Sequence, residues 1–125
     1  SYNELWSKEL NAAWATLEAH EDLNHYLTAR SARESYEKNK LSAEEFEVYQ
    51  NSQALMERIE GTARYIELKS MPGDFRQNSL YQQLTSSPSG SERYYTSGMG
   101  RALLLDLTAP NWKDSYTFTE NLNLE

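Results

Sequence analysis

Cysteine is absent from these 125 residues, so the chain has no disulfide, no thiol nucleophile and no thiolate metal site. Glycine and proline are absent from residues 1–60, and all five Gly and all three Pro fall from Gly61 onward. Because these two residues are the strongest helix breakers, the first half is free to form long helices. Basic charge is in deficit: 12 Lys and Arg against 19 Asp and Glu give a net charge of −7, which argues against nucleic acid as the main partner, since phosphate binding requires a basic surface. Aliphatic runs are short, the longest being Ala102–Leu105, which excludes a membrane-spanning helix of roughly 20 apolar residues. What the chain does have is bulk. Nine Tyr, three Trp and three Phe supply large side chains for a core or a cleft, and the 38% hydrophobic and 25% charged content is that of a globular protein.

The expected architecture is mostly α, a helical bundle with two long N-terminal helices and a central apolar, glycine-containing helix, forming a single helical domain over residues 1–125. Trp6, Leu10, Ala13, Leu17, Leu23 and Leu27 recur at helical steps, which predicts one long helix over about 2–36, with a kink near Glu21–Asn24 where poor helix formers cluster. Asn39-Lys40-Leu41 reads as a turn. Ser42 and Glu45 have capping-box spacing, and Leu41 and Phe46 that of a hydrophobic staple, so a second helix starts there. Its stripe runs through Tyr49, Gln53, Met56, Ile59, Ala63 and Ile66 and ends near Ser70, before Met71-Pro72-Gly73. A short helix over 75–84, a loop at Ser86–Ser91 and a helix over 94–107 follow, then one more turn at 111–116. Thr117 and Glu120 have the spacing to cap a further helix, yet its apolar residues, Leu122 and Leu124, stand at the very end of the chain. Leu5 and Trp6 begin an apolar stripe almost at the other end. Both ends read as cut from something longer.

Four stretches carry the residues for chemistry. His20-Glu21-Asp22-Leu23-Asn24-His25 approaches a zinc-binding pair of histidines, but a step of five separates two imidazoles by about 140° on a regular helix, where a step of four would keep them on one face. Two histidines on an exposed helix is the plainer reading; a bulged helix joining His20 and His25 to Glu60 is the sharper one. Glu60-Gly61-Thr62-Ala63 sets a carboxylate beside a glycine inside a helix, a place where another helix or a metal can approach closely. Arg30 and Arg33 stand three apart near Glu34 and Glu37, either as surface pairs or as inward cations meeting a buried carboxylate such as Glu60. Tyr94-Tyr95 precedes Thr96-Ser97-Gly98-Met99-Gly100, offering either hydroxyls toward a substrate oxyanion or a close helix crossing. No nucleotide-binding fingerprint is present, since Gly98-Met99-Gly100 lacks the third glycine and a preceding strand.

Taken in order, these stretches resemble a known group. Glu60-Gly61-Thr62-Ala63-Arg64-Tyr65-Ile66-Glu67 resembles the EGLAxYxE helix of HExxH-type zinc metallopeptidases. Tyr95 to Asp106 is similar to a Y-x-S-G-x-x-x-A-L-L-L-D helix of uncharacterised bacterial proteins of that type. Pro110-Asn111-Trp112-Lys113 is similar to their P-x-W-K, and Leu27 to Arg33 to their F-R-A-x-R helix. The resemblance covers about residues 20–125. It implies the C-terminal helical half of a zincin-like protein, with Glu60 as the third zinc ligand, Arg30, Arg33 and Tyr95 around the cleft as catalytic candidates, zinc held by the parent protein, and a peptide or protein as its substrate. It further implies a secreted or envelope-associated, extracytoplasmic setting. The HExxH segment itself, which supplies two ligands and the general base, is missing from these residues. The expectation is therefore a piece that is inactive alone and holds no zinc, and the competing expectation is a non-catalytic helical module that docks a protein partner.

Overall fold

The structure is a computed structural model that describes residues 1–117 and 120–124. It is a helical bundle: α1 (Tyr2–Ala19), α2 (Leu23–Lys40), α3 (Ala43–Met56), a π-helical turn (Glu57–Gly61), α4 (Thr62–Lys69), α5 (Gly73–Thr85), α6 (Glu92–Thr108) and the single turn α7 (Trp112–Ser115), with no strand among the described residues.

The single long helix expected over 2–36 is two helices. Chain direction reverses between Ala19 and Leu23, where His20 takes a left-handed conformation (φ 54°) and donates its N–H to the Ala15 carbonyl. Asp22 then caps α2, its side chain accepting from the Asn24 N–H at 2.9 Å. A short carboxylate two residues after a left-handed residue offers the backbone a better arrangement than one more helical turn. The connection of three residues folds α2 back antiparallel on α1, which brings Glu9 against Arg33 and Tyr2 against Glu37.

α2 runs to Lys40, so only Leu41 and Ser42 remain as the connection to α3. The predicted capping box forms in both directions, Glu45 N–H to Ser42 Oγ at 3.2 Å and Ser42 N–H to Glu45 Oε1 at 3.0 Å. The stripe predicted for the following helix needs correction. Ile59 and Ile66 are exposed, as is Ala63, while Gln53, Glu57, Gly61, Thr62, Tyr65 and Leu68 face the interior. The polar residues go inward because their partners wait there, and the π turn adds a residue that rotates the helix face. The Thr62 hydroxyl donates to the carbonyls of Arg58 and Ile59 at the end of that turn.

α6 is the centre of the bundle, as expected: every residue from Thr96 to Leu105 is buried. Trp6, Leu10 and Ala13 of α1, Tyr65 and Leu68 of α4, and Leu80 and Leu84 of α5 pack around it. Its closest neighbour is the π turn. A Cβ at Gly61 would lie 2.5 Å from the Gly98 Cα, and a Cβ at Gly98 would collide with the Glu57 carbonyl and sit 2.8 Å from the Glu57 Cα. Two glycines thus allow backbone-to-backbone contact.

Asp106, near the end of α6, ties down the last turn. It accepts from the Tyr65 hydroxyl at 2.7 and 2.9 Å and from the Trp112 indole N–H at 2.9 Å, and the Trp112 ring meets Tyr65 edge-on at 5.9 Å. The helix suggested by Thr117 and Glu120 falls partly on Phe118 and Thr119, which lie outside the described residues. Residues 120–124 have no regular structure, and Leu122 among them is buried.

Candidate functional site

The interior of the bundle between α1, α2, the π turn and α6 is ionic. Arg33 is fully buried, and its guanidinium donates from Nε to Glu9 Oε1 (2.7 Å), from Nη2 to Glu9 Oε2 (3.2 Å), and from Nη1 to Glu37 (2.9 and 3.0 Å) and Gln53 Oε1 (2.9 Å). The Trp6 ring lies 3.8 Å beneath it. Arg30, one turn earlier, donates to Glu57 through both terminal nitrogens (2.8 and 2.9 Å) and to Glu34 through Nε (3.2 Å), and its Nη1 lies 3.6 Å from Glu9. The Ser97 hydroxyl of α6 completes the Glu57 carboxylate at 2.5 Å.

Each residue reaches this network for a local reason. Arg30 and Arg33 are a helical step apart, as are Arg33 and Glu37, and Gln53 and Glu57. Glu9 comes from the antiparallel face of α1, and Ser97 is brought near by the crossing of Gly98 over the π turn. Burial pushes the Glu57 carboxyl up, but the Arg30 guanidinium, with its hydrogen bonds, the Arg101 charge and the Ser97 hydroxyl outweigh it and hold the carboxyl at about 2. Burial pulls the Arg30 and Arg33 guanidiniums down, yet Glu57 and Glu9 respectively more than offset this, and both stay cationic.

An acid limb of stability follows. The Glu57 carboxyl titrates at about 2 in the fold against 4.5 in the open chain, so between those values the unfolded state binds more protons. Stability from this group is complete above pH 4.5 and is lost as pH falls through 2. The loss amounts to roughly 3 kcal/mol. Denaturant titrations at several pH values should show it, and Glu57→Gln should flatten that limb while lowering stability at neutral pH.

A second polar system adjoins the first. The Tyr2 hydroxyl donates to Glu37 Oε2 at 2.5 Å and meets the Tyr49 hydroxyl at 2.7 Å, which in turn meets that of Tyr94 at 2.7 Å. Burial and these hydrogen bonds raise the Tyr49 phenol far above its usual range.

Arg30 and Glu57 also form part of the floor of an open cleft of about 290 Å³ between α2, α3 and residues 121–123. Arg101 of α6 lines the same cleft. Its Nε donates to the Leu122 carbonyl at 2.8 Å and its Nη1 to the Tyr26 hydroxyl at 3.3 Å, and it makes no ion pair within 4 Å among the described residues.

The sequence-predicted residues are distributed unevenly over these features. Arg30 and Arg33 do both things the sequence offered, pairing along their own helix with Glu34 and Glu37 and reaching inward to buried carboxylates. The inward partner is Glu57 and not Glu60. Glu60, the expected metal ligand, is exposed, and no hydrogen bond or ion pair joins it to Arg30, Arg33 or Tyr95. Tyr95, half-buried, lies under the Arg64 guanidinium at 5.5 Å, away from the network. His20 and His25 are both exposed on the α1–α2 connection and the start of α2, with His25 3.5 Å from Glu21. Among the described residues no three His, Asp or Glu side chains converge to hold a metal. The donors present therefore do not fit a zinc site by themselves.

Glu9, Glu57, Ser97 and Arg101 were missed. For Glu57 a signal existed: it is four residues after Gln53 and four before Gly61, on the one face that can meet α6. No protein-family model matches the chain, and no curated protein or solved structure is significantly similar to it.

Proposed function

We propose that the chain is a non-catalytic helical module that docks an amphipathic helix with basic flanks on the outer face of α3, the π turn and α4. The observation that carries this reading is an uncovered apolar stripe. Val48, Leu55, Ile59 and Ile66 are exposed by 66%, 42%, 51% and 58% and recur at steps of seven, four and seven along this one continuous rod. Apolar residues repeating on one side of a helix form a seam, whereas isolated ones are ordinary surface. Glu44, Glu45 and Glu47 are exposed around Val48 with no basic residue on α3, so the seam is edged with negative charge at that end, while Glu60 and Glu67 share the π turn and α4 with Arg58, Arg64 and Lys69. A second copy with a net charge of −7 would be repelled there, and a helix flanked by Lys and Arg would be steered in.

A fluorescent amphipathic peptide with a Leu seam and Lys flanks tests this by anisotropy. The Lys-flanked peptide should bind, its Glu-flanked twin should not, and Ile59→Asp should weaken binding at least tenfold with no change in Tm. Equal binding of the two peptides, or indifference to Ile59→Asp, would overturn the reading.

A second reading has its own support. Glu60 lies in the π turn, exposed beside that seam, and π turns recur at functional sites. The two glycine-bearing stretches that carry the peptidase resemblance pack directly on each other. On this reading the chain is the helical portion of a larger zinc-metallopeptidase-like protein, Glu60 is one ligand among others supplied from outside the described residues, and the seam receives the segment that carries them. Metal analysis of the protein made from the complete gene separates the two: stoichiometric zinc that disappears in Glu60→Gln supports this second reading, and zinc-free protein ends it.

A further inference from the structure

The cleft above Arg101 is independent of either reading of the outer face. Its donors and acceptors do not balance internally. Arg30, Glu57 and Glu34 satisfy one another, but Arg101 faces the cleft with a cationic guanidinium whose Nη2 has no partner among the described residues. The side-chain nitrogen of Gln50, which lines the same cleft, is buried and without an acceptor. A buried donor with no acceptor is costly, and the Gln50 nitrogen, in the same cleft as a guanidinium with a free Nη2, points to a missing acceptor group.

We infer that this cleft is a binding site for a small monoanionic carboxylate, held by the Arg101 guanidinium and the Gln50 amide. A guanidinium offers parallel N–H bonds that match the two oxygens of a carboxylate. Leu27, Ala54 and Leu122 line the cleft as well and receive a short apolar tail. The charge balance sets the ligand's valence. Arg30 and Arg101 carry two positive charges and Glu34 and Glu57 two negative ones. An entering anion therefore gains only its local bonds to Arg101 and Gln50, and each further negative charge on it costs more, so a monoanion is favoured over a phosphate dianion. The cleft, about 290 Å³ and open to solvent, has room for a short-chain acid or the end of a peptide. Arg101 is kept in place for this role by the Tyr26 hydroxyl and the Leu122 carbonyl, which fix its Nη1 and Nε.

Titration of the ¹⁵N-labelled protein with sodium butyrate, followed by NMR, tests the inference against sodium phosphate and sodium chloride at equal ionic strength. Butyrate should give saturable shifts at the Gln50 side-chain amide, at the Arg101 guanidinium and at the amides around Leu122, with dissociation in the millimolar range, and phosphate should not saturate. Arg101 also holds the chain end, so the decisive variant is the half-buried Gln50→Ala, which should fold normally and bind butyrate about tenfold more weakly. Arg101→Lys should lose saturation because an ammonium does not bind both oxygens. Phosphate binding as tight as butyrate, shifts that follow ionic strength alone, or unchanged affinity in Gln50→Ala would each overturn it.

Discussion

Gly98→Ala should lower stability by about 2–4 kcal/mol, seen as a fall in Tm of about 10 °C. One added methyl would collide with the Glu57 carbonyl and stand 2.8 Å from the Glu57 Cα, both of them backbone atoms that cannot rotate aside. The only relief is to part α6 from the π turn, which would also draw Ser97 away from the Glu57 carboxylate. Propensity pulls the other way, since Ala is about 1 kcal/mol better than Gly inside a helix. Gly100→Ala isolates that contribution. Its Cβ would meet only Leu84 Cδ2 at 3.7 Å and Ala13 Cβ at 3.8 Å, ordinary contact distances, so this variant should be neutral or slightly stabilised. Thermal melts of the pair decide the matter: equal Tm values would show that the Gly61–Gly98 crossing is looser than described.

Arg33→Met should cost about 3–5 kcal/mol, because it leaves Glu37 buried without a cation and Glu9 with only the more distant Arg30 at 3.6 Å. Arg33→Lys should recover little of this, since an ammonium cannot occupy Glu9 through two nitrogens, reach Glu37 and Gln53, and stack flat on Trp6 at once. The variant should also carry a telltale pH dependence. Unpaired buried carboxylates bind protons more tightly in the fold than in the open chain, so Arg33→Met should be most stable in mild acid and weaken as pH rises. The parent protein does the opposite below pH 4.5. Chemical denaturation at pH 4 and pH 7 distinguishes a lost ion pair, which gives the crossing pattern, from simple loss of side-chain volume, which gives parallel losses. A Glu9→Gln, Arg33→Met, Glu37→Gln triple variant should be less impaired than Arg33→Met alone, as no unpaired charge remains.

The mostly helical architecture was legible because it rests on local signals. The capping box at Ser42, the breakers Pro72 and Gly73, and the apolar run of α6 all act within a few residues of themselves. The break after Ala19 was visible only as a kink, since the left-handed His20 is settled by the packing of α2 on α1 and not by propensity. The rod from α3 to α4 was misread at its faces. An apolar stripe through Ile59 and Ile66 is the natural reading of periodicity, yet the interior takes Gln53 and Glu57, whose partners lie 20 and more residues away on α2 and α6. That pairing is invisible to any window along the chain. Arg30 and Arg33 were legible as candidates because paired arginines near two carboxylates stand out. Their depth was not, because it depends on Glu9 arriving from another helix.

The shared guanidinium at the middle of the bundle also constrains how this sequence can drift. Positions 9, 33 and 37 sit on two helices and answer to one charge, so a neutral or reversed residue at any one of them is tolerated only if the others change with it. Substitutions here must therefore arrive as a set. Homologues that keep the fold should show either the whole ionic group or an oily replacement of it, with few intermediates between.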